Sequence, residues 1–255
     1  MAVCAGGAAL RAASRVRQKA TRIAAHLLEA SPDDLEAVDG QIRVRGTDRT
    51  VTLAEVSTVA NIRTFRLPPG EEPGLESTAF YEPPRLQHFP DSTGKINACA
   101  AWANATHAAV VKVDLETGSV DILDYVVAHD CGPMINPVIV DGQIVGGVIH
   151  GIGGAMYEDL QYSDQGQPLA SSFMDYLLPT AAESPAIAME HFETPSPVLP
   201  LGVKGVGEGG TCGPLGAIGN AISDALAELG AEVVSSPFSP AAVRALVRAA
   251  RAPAP

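Results

Sequence analysis

The chain contains the run LGVKGVGEGGT at residues 201–211, in which five glycines surround a single carboxylate, Glu208. Glycines let a bound group approach the backbone closely, and the helix that Pro214 opens next adds a potential favourable to an anion. The run therefore predicts a loop that can hold Glu208 as a general base. Composition alone favours the plainer interpretation, a flexible surface turn with a solvated Glu208. Lys204 precedes most of the glycines, so the run does not match a phosphate-binding P-loop.

Two helices are predicted around this loop. The one that follows it has an apolar stripe with a glycine as its stop, formed by Leu215, Ile218, Ile222, Leu226, Leu229 and Gly230. The other runs from Asn136-Pro137 to about Glu158 and contains GQIVGGVIHGIG at residues 142–153. Its glycines at 147, 151 and 154 fall on one side and permit close backbone approach. The amide of Gln143 suits the polar edge of a ligand, although residue types alone favour a surface position on a glycine-packed helix.

The first helix is predicted over residues 6–29, entered through Gly6-Gly7. Its apolar residues repeat at three- and four-residue steps, at Leu10, Ala13, Val16, Ala20, Ile23 and Leu27. This stripe favours a folded helix over an organellar transit peptide, although the charged residues before Glu29 are all basic, as in a transit peptide. Free N–H groups at the helix start are suited to an anion, and the candidates are Ala5, Gly6, Gly7 and Ala8. The alternative is that this is simply where a helix begins.

The rest of the chain mixes strands and helices without regular βαβ alternation, which predicts an α+β fold. Asp39-Gly40 indicates a hairpin between Leu35–Val38 and Gln41–Arg45. Further predicted elements are a helix at Thr52–Ile62, strands at Ala108–Leu115, Ser119–Ala128, Ile187–Phe192 and Val233-Val234, a strand–turn–strand at Gln161–Leu169, and a last helix from Ser239-Pro240 to about Ala250. Residues 63–96 are rich in proline and form an extended segment between residues 1–62 and 97–255, and we expect it to lie over another surface.

Composition excludes several classes of protein. The net charge of −12 disfavours nucleic acid and anionic membranes as partners. No membrane span is predicted, because the most apolar run, Val138–Tyr157, is interrupted by polar residues and glycines. The four cysteines form no CxxC pair and the six histidines show no metal-ligand spacing, so we predict no metal-ligating residue in this chain. Scattered cysteines suit a reducing cytoplasm.

Taken together, these segments resemble the molybdenum hydroxylases of the xanthine oxidase family, in particular large subunits of the carbon monoxide dehydrogenase type. The resemblance covers nearly the whole of residues 1–255. It rests on the order and spacing of Asp130-Cys131-Gly132, Ile135-Asn136-Pro137, Gly142-Gln143, Gly151-Ile152-Gly153, Asp175–Thr180, Glu193–Pro197 and Leu201–Thr211. It implies the C-terminal molybdopterin-binding region of a large subunit, with mixed sheets and packed helices.

The resemblance also implies roles for matching positions. Glu208 matches the catalytic base, and Gln143 matches a glutamine that hydrogen-bonds the pterin cofactor. Ala5, Gly6, Gly7 and Ala8 match a cofactor-contacting loop at a helix start. Lys204, Gly205 and Gly207 match the loop that presents the base. The implied cofactor is a molybdenum–pterin group, with the molybdopterin cytosine dinucleotide as one alternative form.

As an enzyme, such a chain is expected to oxidise or hydroxylate a small molecule with water-derived oxygen. Its expected partners are the upstream half of the large subunit, an iron–sulfur small subunit and a flavin medium subunit that carries FAD. Family large subunits are about three times longer, so the chain is interpreted as one half of a split subunit or as a truncated product. His150 replaces the glutamine of many relatives. A non-catalytic remnant or assembly module remains the alternative, whereas a nucleotide-binding protein lacks its usual motifs.

Overall fold

The computed structural model describes residues 2–252. They divide into two compact units, and the chain passes from the first to the second between Leu86 and Gln87. The first unit contains helix α1 (Ala2–Leu27), three short strands and helix α2 (Leu53–Asn61). The strands β1 (Leu35–Val38), β2 (Gln41–Val44) and β3 (Thr50–Thr52) form an antiparallel sheet in that order. Single 3-10 turns cover Pro32–Asp34 and Thr64–Arg66.

Local sequence signals explain these elements. The hairpin prediction is confirmed, since both central residues, Asp39 and Gly40, adopt positive φ angles of 48° and 76°, as a type I′ turn needs. Thr52 caps α2 by accepting a hydrogen bond from the backbone N–H of Glu55. Apolar side chains of α1, the sheet and α2 meet in one core that includes Ile23, Ile42 and Val56.

The predicted stripe of α1 is confirmed only in its C-terminal half. Ala20 and Ile23 are buried, whereas Ala13 is exposed and Leu10 is 48% exposed.

The basic residues of α1 hold residues 71–81 of the proline-rich segment against the helix. Arg11 donates to the carbonyl oxygen of Phe80 (3.0 Å), Arg15 to that of Thr78 (2.9 Å) and Lys19 to that of Pro73 (3.5 Å), while Arg22 pairs with Glu71. This part of the segment therefore lies on its own unit.

The second unit is built on a three-stranded sheet. Strand β5 (Val120–Asp130) is central, antiparallel to β4 (Asn104–Val113) and parallel to β6 (Ile187–His191). One face of the sheet packs on helices α3 (Pro137–Ile152), α4 (Gly213–Ala225) and α5 (Pro240–Arg251), and α3 continues as a π-helical turn over Gly153–Tyr157. The core includes Tyr125 and Val127 of β5, Ile144 and Val148 of α3, and Ile218 and Ile222 of α4. The α+β prediction is confirmed.

Several expected details differ from the structure. Gln161–Leu169 contains one isolated bridge, between Tyr162 and Pro168, rather than two strands. Val233-Val234 forms no strand, and Val234 is 84% exposed. In α4 and the turn after it, Ile218, Ile222 and Leu226 are fully buried as predicted, but Leu215 is 47% exposed. The predicted starts of α3 and α5 are confirmed, because Asn136 and Ser239 accept capping hydrogen bonds from the backbone N–H groups of Ile139 and Ala242.

One stretch of residues 2–252, Pro137–Tyr157, is long and apolar enough by length and composition to cross a membrane. A core helix passes the same test, and this one has Ile144, Val148 and Ile152 at 0% exposure within the protein. It therefore gives only weak evidence for a span.

Candidate active site

The structure brings the two glycine-rich runs of the second unit together. Residues 203–211 lie beside α3, and the side-chain amide Nε2 of Gln143 donates a hydrogen bond to the carbonyl oxygen of Gly207 at 3.2 Å. Gly210 and Gly147 face each other, and a Cβ added to Gly147 would lie 3.0 Å from Cα of Gly210. Gly151 packs in the same way on Thr211 and Pro214. The predicted close approach is confirmed for Gly147 and Gly151, whereas Gly154 faces open space.

A largely buried ion pair fixes the start of the loop. Lys204 Nζ lies 3.2 Å from Asp130 Oδ2, and the two side chains are 9% and 13% exposed. The backbone N–H of Lys204 donates to the carbonyl oxygen of Cys131 at 2.8 Å. Charge-assisted bonds of this kind resist rearrangement, because removing either partner leaves a buried charge unpaired.

Asp130 also joins three of the sequence motifs. Its Oδ1 accepts hydrogen bonds from the backbone N–H groups of Gly132 (2.8 Å) and Thr194 (3.2 Å). Burial alone would raise the pKa of Asp130, but these bonds and the bond from Lys204 together hold the pKa well below its usual range. The Gly202 carbonyl oxygen accepts from the N–H of Ser196 at 2.8 Å. The loop therefore rests on a charged, hydrogen-bonded base.

Two buried or part-buried histidines, His107 and His129, pack beneath the other end of the loop, and we call this pair the histidine floor. His129 of β5 is 1% exposed, and a Cβ added to Gly209 would overlap its ring. His107 of β4 lies under Gly213, where an added Cβ would be 2.5 Å from its Nδ1. His107 Nδ1 lies 2.9 Å from the hydroxyl of Tyr125. Sequence reasoning assigned no functional role to either histidine.

Glu208 lies at the exposed side of this loop. Backbone hydrogen bonds between residues three apart fix the chain around Glu208. Gly209 N–H donates to the Val206 carbonyl oxygen and Thr211 N–H donates to the Glu208 carbonyl oxygen, each at 3.1 Å. An exposed carboxylate on a backbone so constrained can exchange a proton with a group bound against the loop.

The N-terminal motif differs from expectation. Ala5, Gly6, Gly7 and Ala8 belong to the first unit and lie inside α1, which begins at Ala2, so they do not form a loop before the helix. Because amides beyond the first turn bond within the helix, the free donors lie nearer Ala2. Gly7 has a packing role: an added Cβ would lie 2.8 Å from Cε1 of Tyr81, and nearer still to other atoms of that ring.

Within residues 2–252, no group of three or more His, Cys, Asp or Glu side chains could hold a metal ion. His150 is exposed on α3 and lies in the same run as Gln143.

Comparison with known proteins identifies relatives over most of the chain. Residues 1–185 match the family model of a molybdopterin cofactor-binding domain. The chain is 38% identical over 240 residues to the nicotine 6-hydroxylase large subunit of Paenarthrobacter nicotinovorans, a match that covers 94% of this chain and 28% of that subunit. It is 35% identical over 234 residues to the carbon monoxide dehydrogenase large chain of Afipia carboxidovorans, covering 91% of this chain and 27% of that one.

A solved structure shows the same fold. Quinoline 2-oxidoreductase from Pseudomonas putida 86 superposes with a TM-score of 0.81 at 38% identity, over 93% of this chain and 29% of that chain. The chain therefore spans less than a third of the length of the relatives that it matches.

Proposed function

The chain belongs to the molybdopterin cofactor-binding domain family of xanthine-oxidase-type oxidoreductases, and from this premise we propose that it provides the catalytic base and part of the pterin site of a molybdenum hydroxylase. Glu208 is the proposed base. Gln143 is the proposed pterin contact, and Lys204, Gly205 and Gly207 form the loop that presents Glu208 to the cofactor. For the first unit, the cofactor contact expected at Ala5–Ala8 stays a separate prediction, since these residues lie inside α1.

The glycines of the loop carry this proposal. Internal packing explains Gly209 and Gly210, because an added Cβ would overlap His129 or the carbonyl oxygen of Ile144. It does not explain Gly205 and Gly207. Both are exposed, neither has a positive φ, and an added Cβ would meet nothing within 4 Å at Gly205 and only Gln143 Nε2, at 3.9 Å, at Gly207. Glycine at such positions fits close approach of an external group to the backbone.

The donor set also fits a pterin. Gln143 is exposed and uses one N–H for Gly207, which leaves its second N–H and its Oε1 to pair with the alternating donors and acceptors of a pterin edge. Lys204 is committed to Asp130, so its proposed contribution is to hold the loop rather than to supply a cation to the ligand.

When bound, the molybdenum–pterin group supplies an acceptor for the two electrons released by oxidation of the substrate. Glu208 takes the proton from the water-derived oxygen that is added to the substrate, and its rigid backbone keeps the carboxylate in place during the transfer. A positioned general base contributes about 10²–10⁴-fold to the rate.

The proposed enzyme needs other chains. We propose that the upstream half of the large subunit completes the cofactor site and substrate pocket, and that iron–sulfur and flavin subunits carry the electrons away, in the cytoplasm. Three exposed apolar side chains support a polypeptide partner: on the side of the β4–β6 sheet away from the helices, Val110, Leu123 and Val126 are 53%, 56% and 42% exposed, in a mixed surface that also contains Asp124 opposite Val110. The substrate is a small molecule.

The test is to express the chain with and without a polypeptide that supplies the upstream half of the large subunit, and to measure molybdenum by elemental analysis. Molybdenum near one per complex, found only with both chains, supports the proposal. Glu208→Gln should then retain the metal and lose turnover by about 10²–10⁴-fold, while the same change at exposed Glu228 should leave both unaltered. No molybdenum in either preparation would favour the alternative, a non-catalytic remnant or assembly module.

A further inference from the structure

We propose that His129 is a positioning residue for the segment that carries Glu208, and that it holds this segment firmly only while its ring is neutral. The inference rests on the proposed function solely for the role of Glu208. It rests on geometry for the rest, because Gly209, the neighbour of Glu208, sits directly on the His129 ring.

The surroundings of His129 explain why the neutral ring is required. The ring is 1% exposed, and neither Nδ1 nor Nε2 has a hydrogen-bond partner among the described residues. A protonated imidazole has two donors to satisfy, and leaving them unpaired in a buried site is costly. Ile144 of α3, which lies over the same glycine, offers no acceptor side chain.

The charged and titratable groups around the ring add to this effect. His107 faces it from β4 and His191 from β6, where the ring centroids of His129 and His191 are 6.2 Å apart. Asp130 follows it in β5 but is bound to Lys204, and Asp141 of α3 is bound to His191 at 2.8 Å. Burial is the main cause that lowers the pKa of His129; His191 and His107 lower it further, and Asp130 opposes them.

The direction of the pH effect follows from linkage. The closed loop disfavours the proton on His129, whereas an opened loop exposes the ring and lets it bind a proton near its ordinary pKa of 6.5. Closure is therefore fully favourable above about pH 6.5 and weakens as the pH falls towards the lowered pKa of the closed state. At low pH, the equilibrium constant for loop closure falls about tenfold for each unit by which the closed state lowers the pKa of His129 relative to the open state.

Hydrogen exchange followed by mass spectrometry tests this in the full chain without cofactor. After correction for intrinsic exchange rates, protection of peptides covering residues 203–211 should fall by more than threefold from pH 7.5 to pH 5.0 in the wild type, up to the limit of about thirtyfold that linkage allows between pH 6.5 and pH 5.0. In His129→Phe, which cannot be protonated and loses no hydrogen bond, the fall should be threefold or less. The control His26→Gln, at an exposed histidine of the other unit, should behave as the wild type does.

Two results would overturn the proposal: protection in the wild type that does not change with pH, or an equal loss in His129→Phe. If circular dichroism shows that His129→Phe does not fold, His129→Gln takes its place. An independent check is the NMR titration of the imidazole nitrogens in the wild-type chain, where a His129 already protonated at pH 7 would refute the idea whether or not the variants fold. These measurements need no molybdenum, so they can fail while the proposed function stands.

Discussion

A matched pair of glycine substitutions separates the glycines that pack the loop from those proposed to face a cofactor. In Gly210→Ala, the new methyl would lie 2.9 Å from the backbone nitrogen of Val148 and closer still to the carbonyl oxygen of Ile144, both in α3. Ordinary contact begins at 3.4 Å, so the backbones must separate by at least 3.4 − 2.9 = 0.5 Å. Overpacking of this kind costs about 1–3 kcal/mol.

The control in the same loop is Gly205→Ala, where the methyl meets nothing within 4 Å. Its stability should be unchanged or slightly higher, by about 0.4–1 kcal/mol, because alanine reduces the freedom of the unfolded chain. Thermal unfolding measures both, with about 2–4 °C lost for each kcal/mol in a unit of this size. The same Gly205→Ala variant should lower the molybdenum content of the complex with the upstream half.

The reasoning fails if Gly210→Ala unfolds at the wild-type temperature, or if Gly205→Ala is destabilised as much as Gly210→Ala. It also fails, for the cofactor alone, if Gly205→Ala retains all its molybdenum. The stability and metal results are independent, so packing and binding are tested separately.

Three further predictions concern charges and packing. Lys204→Met should destabilise the second unit by about 1–3 kcal/mol in urea titrations, since it leaves the largely buried Asp130 without its counter-charge, although the N–H groups of Gly132 and Thr194 still bond it. Asp130→Asn in the same chain should recover part of that loss, and full stability of Lys204→Met alone would contradict the ion-pair argument. The folded state lowers the pKa of Asp130, and this shift contributes stability that is complete above the ordinary pKa of 3.8. That contribution is lost as the pH falls through the lower pKa of the folded state. The urea midpoint of the wild type should therefore decline below about pH 4 more than that of Asp130→Asn. Gly7→Ala should destabilise the first unit by about 1–3 kcal/mol through overlap with Tyr81, as measured by exchange of α1 amides, while Gly6→Ala, which has open space, should not.

Local elements were predictable because their signals are local. The hairpin at Asp39-Gly40, the cap at Asn136 and the buried face of α4 each depend on a few neighbouring residues, and all are confirmed except for Leu215 at the start of α4, which is 47% exposed. The stripe of α1 shows the limit of this reasoning. Periodicity predicts which face of a helix is apolar, but not what covers it, and Leu10 remains 48% exposed in this chain.

The floor under the loop was missed for a different reason. A lone histidine in a strand is more often structural than functional, so the sequence predicts a structural or surface position for both His107 and His129. The signal was in the alternation of β5, where Tyr125, Val127 and His129 share the buried face at 1%, 0% and 1% exposure. A polar residue in phase with a buried stripe predicts an inward position, but contact between His129 and Gly209 depends on tertiary packing across 80 residues of sequence. No local pattern contains that distance.

The contacts of the loop assign its residues to different tasks. Lys204 has its charge neutralised by Asp130 within the protein, so it anchors the loop and does not act as a free cation toward a bound anion. Gly209 and Gly210 are required by the histidine floor and by α3. No packing contact within the protein explains the residue types at Gly205, Gly207 and the exposed Glu208, which occupy one short stretch beside Gln143. Because the packing of the protein accounts for Gly209 and Gly210 but not for these three residues, we propose that they serve a bound group, and a flat polar group against the backbone would fit them.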